Sequence, residues 1–151
     1  MNIMAVPKLE SYGSTFVRYS IALVTDQTPR WVEKSAHDGS YEGVINTTKA
    51  FLEQGLADEI SVFVRGDDTP KLIYTTEGRQ FPDAITAITY GREIGRRKAI
   101  EGYKRKRKIV EDAFREYQPQ LLDRLQDWQN MYEQEAEYFQ SFNTGNDKKI
   151  L

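Results

Sequence analysis

The stretch from 83 to 142 is almost entirely compatible with helix, and Pro119 is its main interruption. Apolar and aromatic side chains recur along it at three- and four-residue spacing, which is the period of one helix face. Proline lacks a backbone N–H and disfavours helix in the residue before it. We therefore predict helices at about 83–117 and 120–141, which form either a hairpin or one kinked helix.

The residues before this arm show shorter and mixed patterns. Alternating apolar positions predict a strand at 15–24, after an extended segment at 1–14. Helical spacing then predicts a helix that begins near Ser40, as N-cap, and ends at Gly55. Two further apolar runs predict a β-hairpin, with its strands at 60–65 and 71–76.

These elements predict an α+β protein with a small, three-stranded, mostly antiparallel sheet and one packed helix. A long C-terminal helical hairpin or kinked helix follows the sheet. We divide the chain into a β-α-β-β subdomain at 1–82, a helical arm at 83–142 and a disordered tail at 143–151.

Composition excludes several classes of site. The chain has no Cys, which rules out disulfides, thiolate nucleophiles and Cys-ligated metals. His37 is the single histidine, so one chain cannot build a site from two imidazoles. No run approaches the ~20 apolar residues of a membrane span, and residues 1–7 lack the pattern of a signal peptide. We expect a cytoplasmic protein (host cytoplasm if viral), with no cofactor, metal or membrane contact.

Charge is segregated along the chain. Residues 1–75, 76–108 and 109–151 carry net charges of −3, +6 and −5. A basic helix attracts polyanions, so nucleic-acid binding through residues 92–108 is one hypothesis. The alternatives are a solvated helix face, or pairing of the basic block with the acidic C-terminal helices. The candidate nucleic-acid contacts are Arg96, Arg97, Lys104, Arg105 and Lys108.

The aromatic stripe of the last two helices supports a different hypothesis. Seven aromatic residues lie in the segment from Phe114 to Phe142. We do not expect a single small sheet to cover so many apolar side chains. Such residues are enriched at protein interfaces. We therefore predict a protein partner, a second copy of the chain, or both. The predicted anchors of this interface are Leu125, Trp128, Tyr132 and Phe139.

No set of residues identifies a catalytic site. His37 and Asp38 could form one acid–base element of a small hydrolase or nuclease, but no nucleophile accompanies them in the sequence. Small size and segregated charge are typical of accessory or inhibitory proteins of phages and mobile elements. The sequence thus favours a non-catalytic regulatory protein that acts through protein–protein contacts and self-association of its helical arm. Nucleic-acid binding is the alternative.

Overall fold

The computed structural model describes residues 1–78 and 80–150, with side chains described up to Ser141. This part of the chain is α+β, with a three-stranded sheet and mostly helical structure elsewhere. The elements in chain order are β1 (Asn2–Met4), α1 (Lys8–Val24), α2 (Lys34–Gln54), β2 (Ser61–Val64), β3 (Lys71–Thr75), α3 (Ala84–Ile94), α4 (Arg96–Tyr117), a 3-10 helix (Pro119–Leu125) and α5 (Gln126–Ile150).

The chain divides into two compact units, each made of two separate stretches. The first unit consists of Met1–Ser11 and Glu33–Gly95, and it contains the sheet. The second consists of Tyr12–Val32 and the chain from Arg96 onwards. This division does not coincide with the predicted boundary between 82 and 83, since α3 belongs to the sheet unit and residues 12–32 belong to the helical one.

The sheet is mixed rather than mostly antiparallel. Its strand order is β1-β2-β3. β1 is parallel to β2, with Ile3 opposite Val62, whereas β2 and β3 form the predicted antiparallel hairpin. The segment predicted only as extended therefore supplies a strand. At three residues, β1 is too short for an alternating pattern to reveal it.

Helix α3 packs on this sheet and closes the core of the first unit. Asp83 is its N-cap and accepts a 2.7 Å hydrogen bond from the Thr86 N–H, in agreement with the predicted start of a helix at about residue 83. A Cβ on Gly91 would lie only 2.7 Å from Ala5 Cβ, so the absence of a side chain brings helix and sheet together. The buried cluster includes Ile60, Val62, Ala84, Ala87 and Ile88.

The strand predicted at 15–24 is wrong, because these residues belong to α1. Tyr12, Phe16 and Ser20 are buried at four-residue spacing, while Ile21 is 52% exposed. The β-branched and aromatic residues of this segment favour strand by propensity, but packing of one helical face decides the outcome.

The helix predicted from Ser40 begins earlier. Helix α2 starts at Lys34, six residues before the predicted N-cap, with Glu33 as N-cap and no side-chain capping bond. The predicted end is confirmed: Gly55 adopts a left-handed conformation with φ of 63°, and its N–H is directed to the Leu52 carbonyl. Glycine adopts this conformation without the steric cost that a Cβ brings.

The arm predicted at 83–142 is broken at two places. Gly95 separates α3 from α4, and Pro119 begins the 3-10 helix before α5. Contacts between α4 and α5 run in opposite order, since Arg96 pairs with Glu135 and Tyr103 stacks on Tyr132. The chain thus turns back after Pro119. The disordered tail proposed for 143–151 stays a prediction, because Leu151 and the side chains of 142–150 lie outside the described residues.

Candidate functional site

Two of the four predicted interface residues are in the interior of the second unit. Leu125 is fully buried and Trp128 is 1% exposed. Tyr132 is half-buried and stacks on Tyr103, with ring centroids 4.0 Å apart and an interplanar angle of 9°. Phe139 lies beneath the Arg97 guanidinium, at 5.0 Å from its carbon to the ring centroid. All four therefore take part in contacts within the chain or are covered by it.

Trp128 is the centre of an aromatic cluster. Its ring stacks on Phe16 at 5.2 Å and meets Tyr103 edge-on at 5.1 Å. Phe16 in turn contacts Trp31. The indole Nε1 of Trp128 is buried and has no hydrogen-bond partner in the described part of the chain. The expectation that Leu125 and Trp128 offer surface to a partner is not met in this conformation, because both are buried and side chains of α1, such as Phe16 and Tyr19, pack against the aromatic stripe.

The side of α4 that faces away from its buried residues Tyr103 and Val110 is exposed and basic. Arg97, Lys104 and Lys108 are separated by seven and four residues, so they form one line along the helix, and Arg105 lies beside them. Their Cα atoms span about 16 Å, from the helical rise of 1.5 Å per residue. All four are exposed. We call Arg97, Lys104, Arg105 and Lys108 the basic face.

Arg96, the fifth predicted cation, does not belong to this face. Its guanidinium donates two hydrogen bonds to the Glu135 carboxylate, from Nε at 2.9 Å and from Nη2 at 2.6 Å. The side chains of Arg96 and Glu135 are 21% and 22% exposed. This bidentate pair connects α4 to α5, so the charge of Arg96 is largely satisfied within the chain.

The basic face is only partly neutralised by carboxylates. Lys108 pairs with Asp112 at 3.5 Å, but both side chains are well exposed and such a pair is weak. Within the described residues, Lys104 and Arg105 make no ion pair or hydrogen bond. Glu101 lies among these cations on the same exposed side. The proposed pairing of the basic block with the acidic helices thus holds for Arg96 and does not extend to Lys104 or Arg105.

A second group of side chains lies in the first unit. The hydroxyl Oγ of Ser11, on α1, is 2.9 Å from His37 Nε2 on α2. His37 Nδ1 is 3.1 Å from a carboxylate oxygen of Asp38. When Nδ1 carries the proton, Nε2 is left to accept a hydrogen bond from the Ser11 hydroxyl. This is the order of contacts in a nucleophile, base and orienting acid.

Asp38 is also held by two lysines. Lys34 Nζ lies 2.6 Å from one of its oxygens, and Lys8 Nζ lies 3.6 Å from the other. Burial acts to raise the pKa of Asp38, but hydrogen bonds from Lys34 and His37 and the charge of Lys8 outweigh it, so the pKa is lowered. Asp38 is therefore an anion at neutral pH and favours a proton on His37 Nδ1.

Access to this group is limited. His37 is 7% exposed and stacks on Tyr41, whereas Ser11 is half-buried. The sequence identified His37 and Asp38 but not Ser11, which it placed in an extended segment. No spacing rule could have found it, since 26 residues separate Ser11 from His37 and only the packing of α1 near α2 brings them together.

The described residues contain no cluster of three or more His, Asp or Glu side chains able to hold a metal ion. In the same part of the chain, no helix combines the length and apolar character needed to cross a bilayer. Comparison of the chain with protein-family models, with curated protein sequences and with solved structures finds no match. Inferences about function therefore depend on the side chains and their contacts.

Proposed function

We propose that this protein is a non-catalytic binding protein whose basic face binds a nucleic-acid backbone. The observation that carries the proposal is the exposed line of cations on α4, in which Lys104 and Arg105 lack an acidic partner within the described residues. A cation that forms no ion pair is available to a phosphate without first breaking one. The hypothesis of a protein interface through Leu125 and Trp128 is less favoured, because both side chains are buried.

The chemistry of this face favours backbone contacts over base recognition. A single helix face with four long cationic side chains offers point charges and guanidinium forks, both of which bind phosphate. The net charge of the chain is −2, so attraction to a polyanion has to be local to this face. We expect binding with little sequence preference and strong salt dependence.

The test is a titration of a fluorescein-labelled 20-base-pair DNA duplex followed by anisotropy at several salt concentrations. Each of the four cations contributes about −0.9 to the slope of log K against log salt, so the expected slope is about −3 to −4. Replacing all four by Gln abolishes the salt-dependent binding if the proposal is correct.

A matched variant controls for net charge. It carries four Lys/Arg→Gln changes at exposed sites outside the basic face and should bind as the parent does. Equal loss of binding in both variants would mean that only overall charge matters, and no binding at low salt would exclude the proposal. The four control positions are Arg18, Arg30, Lys49 and Lys71.

The contacts of Ser11, His37 and Asp38 favour a second candidate, an acyl hydrolase. In such a reaction Ser11 Oγ attacks the acyl carbon of an ester while His37 takes the hydroxyl proton. The alcohol then leaves with that proton, and water, activated by His37, releases the acid and restores Ser11. The two hydrogen-bond distances, 2.9 Å and 3.1 Å, support this candidate. The strong burial of His37 weighs against it.

A fluorophosphonate probe tests the second candidate directly, since it labels an activated serine covalently. Mass spectrometry should locate the label on Ser11, and both Ser11→Ala and His37→Ala should remove it while circular dichroism stays unchanged. Ser35→Ala, at an exposed serine of α2, is the control and should be labelled normally. Absence of label on Ser11 in the parent protein would exclude the hydrolase.

A further inference from the structure

β1 forms one edge of the sheet, and only one of its sides is paired. The Ser61 N–H donates to the Met1 carbonyl at 2.9 Å, and the Ala5 N–H donates to the Phe63 carbonyl at 2.7 Å. Backbone groups alternate in direction along a strand, so those of Asn2 and Met4 point away from β2. Within the described residues, neither Asn2 nor Met4 has a hydrogen bond on that side.

A cleft of about 490 Å³ lies along this open edge. Residues 1–4 form one wall, and Ser40, Gly43, Val44 and Thr47 of α2 form the other. All of residues 1–4 line the cleft, although neighbouring residues of a strand face opposite sides of the sheet, so the cleft lies beside the strand rather than above or below it. None of its lining side chains carries a charge, and the ammonium group of Met1 donates a 2.8 Å hydrogen bond to the Glu59 carbonyl. Its volume falls within the ~300–1,000 Å³ range of ordinary ligand sites.

The two edges of the sheet differ in their protection. β3 follows Pro70 and begins with exposed Lys71, and proline and lysine are residues that discourage pairing with another strand. β1 has the sequence Asn-Ile-Met, with no proline or charge. Its short length limits pairing to a few residues. The edge at β1 is therefore the one open to an added strand.

We propose that the cleft binds an extended, uncharged peptide segment of a partner protein, which adds to β1 as a fourth strand. The open N–H and C=O groups of Asn2 and Met4 offer up to four backbone hydrogen bonds. Alternate side chains of the peptide face Val44 and Thr47 of α2, where the uncharged and partly apolar lining favours Val, Ile or Thr. The site belongs to the first unit and does not use the basic face.

A second copy of this chain fits the cleft less well than a free segment. In a second copy, α2 lies beside β1 in the same way. That helix would have to enter the cleft of the first copy together with the edge strand, and the cleft has no room for a helix. An extended segment has no such obstacle. The occupant is accordingly a peptide rather than a second β1.

Gly43 provides a way to close the cleft. A Cβ built on Gly43 meets nothing within 4 Å, so a large side chain there projects into open space. Gly39 lies on the same helix, also has nothing within 4 Å and does not line the cleft. Gly43→Phe and Gly39→Phe thus form a matched pair, in which both replace a helical glycine and only one blocks the site.

The probe is a panel of five-residue peptides that alternate Thr with Val, Ile or Leu, each acetylated, amidated and labelled with fluorescein. Binding is followed by anisotropy at up to about 1 mM peptide, a range suited to a contact of this size. At least one peptide should bind the parent protein and Gly39→Phe equally, and Gly43→Phe at least tenfold more weakly. The backbone N–H groups of an added strand point alternately towards β1 and away from it. Two versions of that peptide carry N-methyl groups on one or the other set, and the version methylated on the set that faces β1 should bind at least tenfold more weakly.

Three results would overturn the proposal. No peptide binds the parent at 1 mM, or both glycine variants weaken binding equally, or the methylated peptides bind as well as the unmethylated one. Light scattering adds a fourth. A dimer of the parent that Gly43→Phe dissociates would mean that a second copy occupies the edge instead of a partner peptide.

Discussion

The rings of Phe16 and Trp128 stack at a centroid distance of 5.2 Å, with an angle of 16° between their planes. The two residues lie on α1 and α5, at opposite ends of the sequence. Both are almost completely buried. This stack joins the N-terminal segment of the second unit to its C-terminal helix, so it bears on stability rather than on partner binding.

Replacing Trp128 by Ala should lower the free energy of unfolding by about 3–5 kcal/mol, because it leaves a large cavity among Phe16 and Tyr103. Trp128→Phe should cost less, since it keeps most of the ring contacts and removes the unpaired Nε1. Urea denaturation measures both changes. The control is Ile109→Ala, at a side chain that is 47% exposed. If Trp128→Ala lowers the free energy of unfolding no more than Ile109→Ala does, this account is contradicted.

Gly13 should not tolerate a methyl group. A Cβ at this position would lie 2.7 Å from Trp128 Cζ2, and the buried indole has little room to move. Gly13→Ala should therefore destabilise the protein by about 1–3 kcal/mol. Gly39→Ala, where nothing lies within 4 Å, should instead stabilise its helix by up to about 1 kcal/mol. Thermal unfolding of the two variants checks the difference in sign.

The Arg96–Glu135 pair should show measurable coupling in a double-mutant cycle. Its bidentate geometry and low exposure favour a coupling of about 1 kcal/mol. The Lys108–Asp112 pair, 3.5 Å apart and largely exposed, should couple by no more than about 0.5 kcal/mol. Denaturation of the single and double Ala variants gives both coupling energies. Equal coupling in the two pairs would show that the bidentate geometry of Arg96 and Glu135 does not increase the coupling energy.

Asp38 should make stability depend on pH in the acidic range. Its pKa is lowered in the folded protein, so it stabilises the fold above its unfolded pKa, near 3.8, and this contribution is lost as the pH falls through the folded value. The difference in unfolding free energy between the parent and Asp38→Asn should thus shrink from about pH 5 to about pH 3. Urea titrations at each pH measure it. A difference that stays constant over this range would contradict the ion-pair assignment.

Local chemistry explains which predictions from the sequence succeeded. Two short apolar runs predicted the β2–β3 hairpin, Gly55 predicted the end of one helix, and Pro119 predicted a break between two others. Each of these signals acts within a few residues. The basic face could also be anticipated as a run of cations, although the sequence could not show that Arg96 turns away from it to bind Glu135.

The amino-acid sequence by itself determined the α+β class, the hairpin, the break at Pro119 and the position of the cations, because these depend on backbone preferences and on neighbours close in the chain. Tertiary structure alone decided that residues 15–24 are helical and that Trp128 is buried. It also decided that Ser11 meets His37 and that β1 leaves an open edge. Each of these outcomes depends on contacts between residues far apart in the sequence, whose burial outweighs local propensity.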